Sequence, residues 1–117
     1  MALDPARGVL AAVFRSPARL VLLDARTGSV TAKLPVGADA DDVFFDAKRD
    51  RIYVSCGSGE IAVFPREGVN YRPLARVATA SGVRTSLFVP ELDRLFVAER
   101  AGLLGSSAAI RVYRLVP

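Results

Sequence analysis

The sequence predicts an all-β protein, and three observations predict it. Short runs rich in β-branched and aromatic residues carry apolar side chains at two-residue spacing, as in Arg51-Ile52-Tyr53-Val54-Ser55 and Glu60-Ile61-Ala62-Val63-Phe64. Clusters of Gly, Pro, Asp and Ser interrupt these runs, the pattern of an antiparallel meander. The runs also recur: Gly8-Val9-Leu10-Ala11-Ala12, Arg51–Ser55 and Arg94-Leu95-Phe96-Val97-Ala98 begin 43 residues apart, and Ser86-Leu87-Phe88-Val89 stands over Val43-Phe44-Phe45-Asp46 at the same offset. A period of roughly 40 to 45 residues with four strands per repeat marks a propeller blade. The expected architecture is therefore a partial β-propeller arc of about two and a half to three four-stranded antiparallel blades.

Each element has a local reason. Met1 to Pro5 reads as the end of an innermost strand, and Val9 to Phe14 as the second strand of the first blade. Arg15-Ser16-Pro17-Ala18 is a loop, Leu20 to Leu23 a third strand, and Ala25-Arg26-Thr27-Gly28 a hairpin turn with Gly28 where a positive φ is needed. Val30 to Leu34 is the outer strand, and 37–40 cross to the next blade. The central blade comprises Asp42 to Phe45, Arg51 to Ser55, Glu60 to Phe64 and an outer strand from Arg72 to Val77. Ala80-Ser81-Gly82 crosses again, Ile110 to Tyr113 is the third strand of the last blade, and no fourth follows before Pro117. The segments are thus a partial blade over 1–37, a blade over 38–80 and a partial blade over 81–117. The alternating apolar residues from Val43 to Val97, Leu87 and Val89 among them, are expected to be sheet core.

Leu22-Leu23-Asp24-Ala25-Arg26-Thr27-Gly28-Ser29-Val30, Val36-Gly37 and Arg51 to Ser55 resemble the YVTN-type β-propeller repeat. Tyr53-Val54-Ser55-Cys56 stands where that repeat carries Tyr-Val-Thr-Asn. The stretches 38–42 and 84–92 are similar to the C-terminal blades of bacterial YncE-like members. The resemblance implies relatives of about seven blades, often exported, that act as binding or scaffolding modules; it carries no catalytic residue across. An arc of three blades bares a sheet face and strand edges, both association hazards. The expected partners are accordingly a second copy in a homo-oligomer, or the remaining blades of a longer propeller.

Composition excludes several function classes. Histidine is absent, which removes Ser-His-Asp and Cys-His nucleophile activation and imidazole metal ligation. Net charge is +4, carried mostly by arginine, yet the arginines are scattered through turns and strand ends, as solvated turns look. With no basic stripe interleaved with aromatics, nucleic acid is not an expected partner. No apolar run approaches the roughly 18 residues of a membrane helix, so no membrane is expected either. No leader precedes Asp4, so the chain as written is expected to be cytoplasmic; a leader upstream of Met1 would make it periplasmic or secreted. Cys56 is the only cysteine and reads as a small buried hydrophobe. The loop 101–108 lacks the lysine and spacing of a phosphate loop.

In a propeller, the start of each innermost strand and the loop after the second strand open on one face. Asp39, Asp41, Asp42, Arg84, Thr85, Arg15, Arg19, Glu99 and Arg100 are expected to gather there. The functional reading is a rim for a peptide or small polar ligand, with Asp41 and Asp42 accepting hydrogen bonds and Arg84 gripping an anionic group in forked geometry. The plainer reading has Asp41 and Arg84 tie adjacent blades together or cap loops. The alternative function is a lactonase- or hydrolase-type propeller using a hard cation. Asp41 and Asp42 align with Arg84 and Thr85, and a guanidinium aimed at the same axis would oppose a cation. No cofactor, metal site or catalytic residue is expected from these residues.

Overall fold

The alternating runs form strands wherever a turn residue lets the chain reverse. The computed structural model describes residues 1–83, 85–102, 105 and 107–117. Strands β1 (Ala2–Asp4), β2 (Val9–Arg15), β3 (Ala18–Asp24) and β4 (Val30–Pro35) pair in sequence order as the first sheet. Gly28 sits at φ +76 between β3 and β4, with open space where a Cβ would lie, so its role is conformational.

The second sheet holds β5 (Ala40–Asp46), β6 (Arg51–Cys56), β7 (Glu60–Glu67), β8 (Asn70–Tyr71) and β9 (Ala75–Ala78). Here the outer edge departs from expectation. β7 is long enough to pair twice, through Arg66–Glu67 with the short β8 and through Glu60–Val63 with β9. The outer strand thus runs from Ala75 to Ala78 rather than from Arg72, because the β7–β8 hairpin takes up the intervening chain. That hairpin returns Tyr71 to the core, edge-on to Phe45 at 6.3 Å between ring centroids. The third sheet is β10 (Thr85–Val89), β11 (Arg94–Glu99) and β12 (Ala109–Arg114), with a single 3-10 turn at Pro90–Leu92. The inner strand of the first sheet is the three residues Ala2–Asp4, against seven in β5, and among the described residues the three sheets hold four, five and three strands.

The result is an all-β, open arc of three antiparallel sheets, with extents of 48 × 32 × 21 Å and no closure into a barrel. The second strands β2, β6 and β11 hold equivalent places. The expected 43-residue offset holds from Arg51 to Arg94, whereas from Val9 to Arg51 it is 42, one residue shorter than the alignment of the runs. Two cores separate the sheets, because successive side chains on a strand point to opposite faces. Leu20, Leu22, Val43, Ile52, Val54 and Phe64 fill the first. Tyr53, Ile61, Val83, Leu95 and Val97 fill the second, with Phe88 edge-on to Tyr53 at 5.7 Å. Leu87 does not join them: it is 59 % exposed on the far face of the third sheet. No helix among the described residues is long and apolar enough to cross a membrane.

The turns between first and second strands carry a repeated ion-pair ladder. Asp4 accepts from the Arg7 backbone N–H at 3.3 Å and guanidinium at 3.1 Å, and Asp46 accepts from Arg49 at the same two distances. Each arginine then reaches the next sheet, Arg7 to Asp50 and Arg49 to Asp93, both at 2.9 Å. Asp50 and Asp93 both occupy the left-handed region, at φ 53° and 52°, which aspartate tolerates better than most residues. Arg49 is therefore no solvated turn residue, contrary to the sequence reading; its side chain is 7 % exposed.

Candidate functional site

All the strand ends that carry the rim residues lie at the end of the sheets opposite this ladder. Asp39 adopts φ 58° in the crossover into β5, and its carbonyl accepts the Gly57 N–H at 2.7 Å. A Cβ at Gly57 would lie 2.3 Å from Asp39 Oδ2, so only glycine lets the carboxylate rest against this turn. The same turn binds the next crossover, through Gly82 N–H to Gly57 O and Thr79 N–H to Gly59 O, each 2.8 Å. Gly57-Ser58-Gly59 is thus the clip that both crossovers share.

A β-bulge governs the two central acids. Ala40 pairs with Cys56 and Asp42 with Ser55, leaving Asp41 as the extra residue. Bulges re-aim side chains in this way. Asp41 turns to the first sheet, where Arg15 Nη2 contacts its Oδ1 closely while Arg15 Nε lies 3.3 Å from Asp39 Oδ1. Asp42 turns to the third sheet: its Oδ2 accepts from Ser86 N–H at 3.1 Å and from Ser86 Oγ at 3.3 Å. Ser86 Oγ is also 2.7 Å from Ser55 Oγ, a buried hydroxyl.

The remaining predicted residues are distributed differently. Glu99 binds Arg111 within the third sheet, Oε2 to Nε at 2.6 Å. Thr85 is exposed at the start of β10, and Arg100 is exposed just past β11. Arg19 is exposed and donates to the adjacent Ala18 carbonyl at 3.0 Å. Arg84 lies outside the described residues. The structure therefore gathers Arg15, Asp39 and Asp41 into one group, joins Asp42 to Ser86, and keeps Glu99 with Arg111.

Sequence reasoning missed three participants. Ser86 was aligned as a strand residue, although a serine among Leu87, Phe88 and Val89 is a legible polar exception. The Gly57–Gly59 clip shows in the sequence only as one of the Gly- and Ser-containing clusters that interrupt the strands. The Asp-x-x-Arg spacing of Asp4/Arg7 and Asp46/Arg49 was also visible at an offset of 42 and marks the ladder at the opposite end.

Glu60, beside the clip, pairs with Arg76 at 3.7 Å and faces the wholly buried Cys56. Burial first, and the Glu60 charge second, push the Cys56 thiol up to about 11. Native protein is accordingly expected to resist Ellman's reagent in mildly alkaline buffer and to react in full once unfolded. Rapid labelling of the folded chain would contradict this burial. Among the described residues no three of Asp, Glu and Cys converge in a way that could hold a metal ion. The fold and site together define an open, propeller-like arc with a polar rim cross-tied between sheets. Comparison with protein-family models and with curated proteins finds no match.

Proposed function

We propose that this chain is a non-enzymatic binding or scaffold module, a segment of a YVTN-type β-propeller that takes a peptide or small polar ligand at its rim. The observation that supports it is the engagement of the rim acids. Asp41 is tied to Arg15 and Asp42 to Ser86 across neighbouring sheets, and Glu99 to Arg111. Carboxylates held in this manner, Asp41 and Glu99 by guanidinium groups and Asp42 by the neutral donors of Ser86, serve to hold the scaffold in place. The exposed cations of the rim are Arg15, Arg19 and Arg100, with exposed Thr85 beside them. Forked guanidinium donors favour an anionic group, so an acidic peptide or a carboxylate-bearing small molecule is the favoured ligand class.

The test is a fluorescence-anisotropy titration with fluorescein-labelled acidic and neutral peptides. The acidic peptide is expected to bind saturably, and Arg19→Ala with Arg100→Ala to weaken it by roughly tenfold or more at an unchanged melting temperature. Equal binding of both peptides, insensitivity to the double substitution, or calcium-dependent hydrolysis of a lactone would overturn the reading.

A further inference from the structure

Both ends of the arc expose a sheet face, and the repeat identifies what each face is made to meet. In the second sheet, Tyr53 and Ile61 pack forward on the third sheet, while Val43, Ile52, Val54 and Phe64 pack backward on the first. One repeat later, the residue equivalent to Tyr53 is Phe96. It lies in a concavity of about 510 Å³ lined by Thr85, Leu87, Ala98 and Ile110. Leu87, Ile110 and Val112 are 59, 70 and 54 % exposed. One repeat earlier, the first sheet turns Ala11, Leu20 and Leu22 toward the second. Strand alternation therefore sends Leu3, Phe14 and Val30 to the outer face, where each is at least half exposed. The arc thus ends in one unpartnered forward face and one unpartnered backward face, the same two kinds that pack inside it.

The ladder says which partner fits. Each internal junction pairs an arginine of one sheet with an aspartate of the next, Arg7 with Asp50 and Arg49 with Asp93. The next donor position, 43 residues after Arg49, is Leu92, which is 58 % exposed. The acceptor position 42 residues before Asp50 is Gly8, in the same left-handed conformation at φ 65°. A further blade with this ladder would bring its aspartate against Leu92, or its arginine against Gly8. A third sheet meeting a first sheet loses donor and acceptor together. Polarity also reverses at that junction: Arg26 lies over Gly8, its Nη1 2.9 Å from where a Cβ would stand, and exposed Glu91 neighbours Leu92.

We infer that the partner is a second copy of this chain, docked head to tail, with Leu92 over the partner's Gly8 and Glu91 opposite the partner's Arg26. A head-to-tail contact closes only if rotation completes a ring. Three sheets per copy make two copies about six blades, within the roughly four to eight that propellers close with, whereas three copies would exceed it. The inference rests on the propeller-arc reading, and its test reads mass. Because Arg19 pairs with Phe14 on the docking face, the separate check on the rim is the peptide titration of Arg100→Ala alone, at a residue that lies beside Gly82.

Sedimentation equilibrium of the full chain is expected to give twice the single-chain mass of 12.5 kDa. Ile110→Glu, at an exposed position, is expected to raise the dimer dissociation constant on the order of a hundredfold with its β-sheet circular dichroism intact. Glu91→Arg is expected to weaken association roughly tenfold, and Glu91→Arg with Arg26→Glu to restore it. Single-chain mass across the accessible concentration range, growth into open polymers, a dimer indifferent to Ile110→Glu, or charge swaps that do not rescue one another would overturn it.

Discussion

Asp46→Ala is expected to destabilise the arc by about 3–5 kcal/mol, the loss typical of breaking a buried, hydrogen-bonded ion pair from one side. The Asp46 side chain is 1 % exposed and accepts from three donors: Arg49 N–H at 3.3 Å, Arg49 Nη1 at 3.1 Å and Tyr53 Oη–H at 2.7 Å. Burial, and then the Asp46 hydrogen bond, push the Tyr53 phenol up, so it stays a protonated donor. Without the carboxylate, the buried Tyr53 hydroxyl and the Arg49 Nη1 and backbone N–H lose their acceptor. Arg49 also donates to Asp93 and to the Leu115 carbonyl, so the third sheet loosens with it. Urea denaturation measures the effect. Tyr53→Phe, which keeps the ion pair, should cost only about 1.5–3 kcal/mol. Asp4→Ala should cost less than Asp46→Ala, because its partner Arg7 is 34 % exposed. An Asp46→Ala variant within about 0.5 kcal/mol of the parent would refute the ladder's importance.

The same network sets the acid limit. Arg49 first, then Lys48, hold the Asp93 carboxyl below its ordinary 3.8. Its contribution is whole above that ordinary value and is lost as pH falls below it toward the depressed native value. Melting temperature should therefore fall below about pH 4, and Asp93→Asn should flatten the fall. An identical acid profile in the variant would remove Asp93 from the account.

Phe64→Ala is expected to cost about 3–5 kcal/mol. Phe64 is 1 % exposed, pairs with Ile52 across β6–β7, and packs in the core that joins the first two sheets. Truncation removes the apolar burial of a whole ring and leaves a cavity that sheets anchored by backbone ladders cannot collapse to fill. A fall in denaturation midpoint at unchanged slope is the expected signature. Val69→Ala, at a position 87 % exposed, should stay within about 0.5 kcal/mol and serves as the control. Comparable losses at both positions would show that Phe64 does not anchor this core.

Most strands were legible because their cause is local. Two-residue spacing in 51–55 and 60–64 recorded which residues share a face, although both faces of β6 proved to be buried, and Gly28 marked a reversal. The outer edge of the second sheet was not legible, since whether 72–77 pairs with β7 depends on how far β7 extends and where the β8 hairpin returns Tyr71. Leu87 was misjudged for a related reason: alternation shows that a residue faces one side of a sheet, not whether another sheet covers that side.

The rim shows the same division. Adjacency of strand starts and loop ends at one pole of the arc follows from antiparallel order, so Arg15, Asp39 and Asp41 could be grouped from the sequence. Which acid meets which cation could not, because a single extra residue at Asp41 sends it to the first sheet and Asp42 to the third. By itself, then, the amino-acid order determined the strands, their 43-residue recurrence and the open-ended stacking of sheets, all of which arise from short-range sterics and periodic burial. Only the tertiary structure decided the pairing of charges, the burial of Arg49 and the bare faces around Leu87 and Phe14, because electrostatic partners and solvent cover are settled by neighbours distant in the chain.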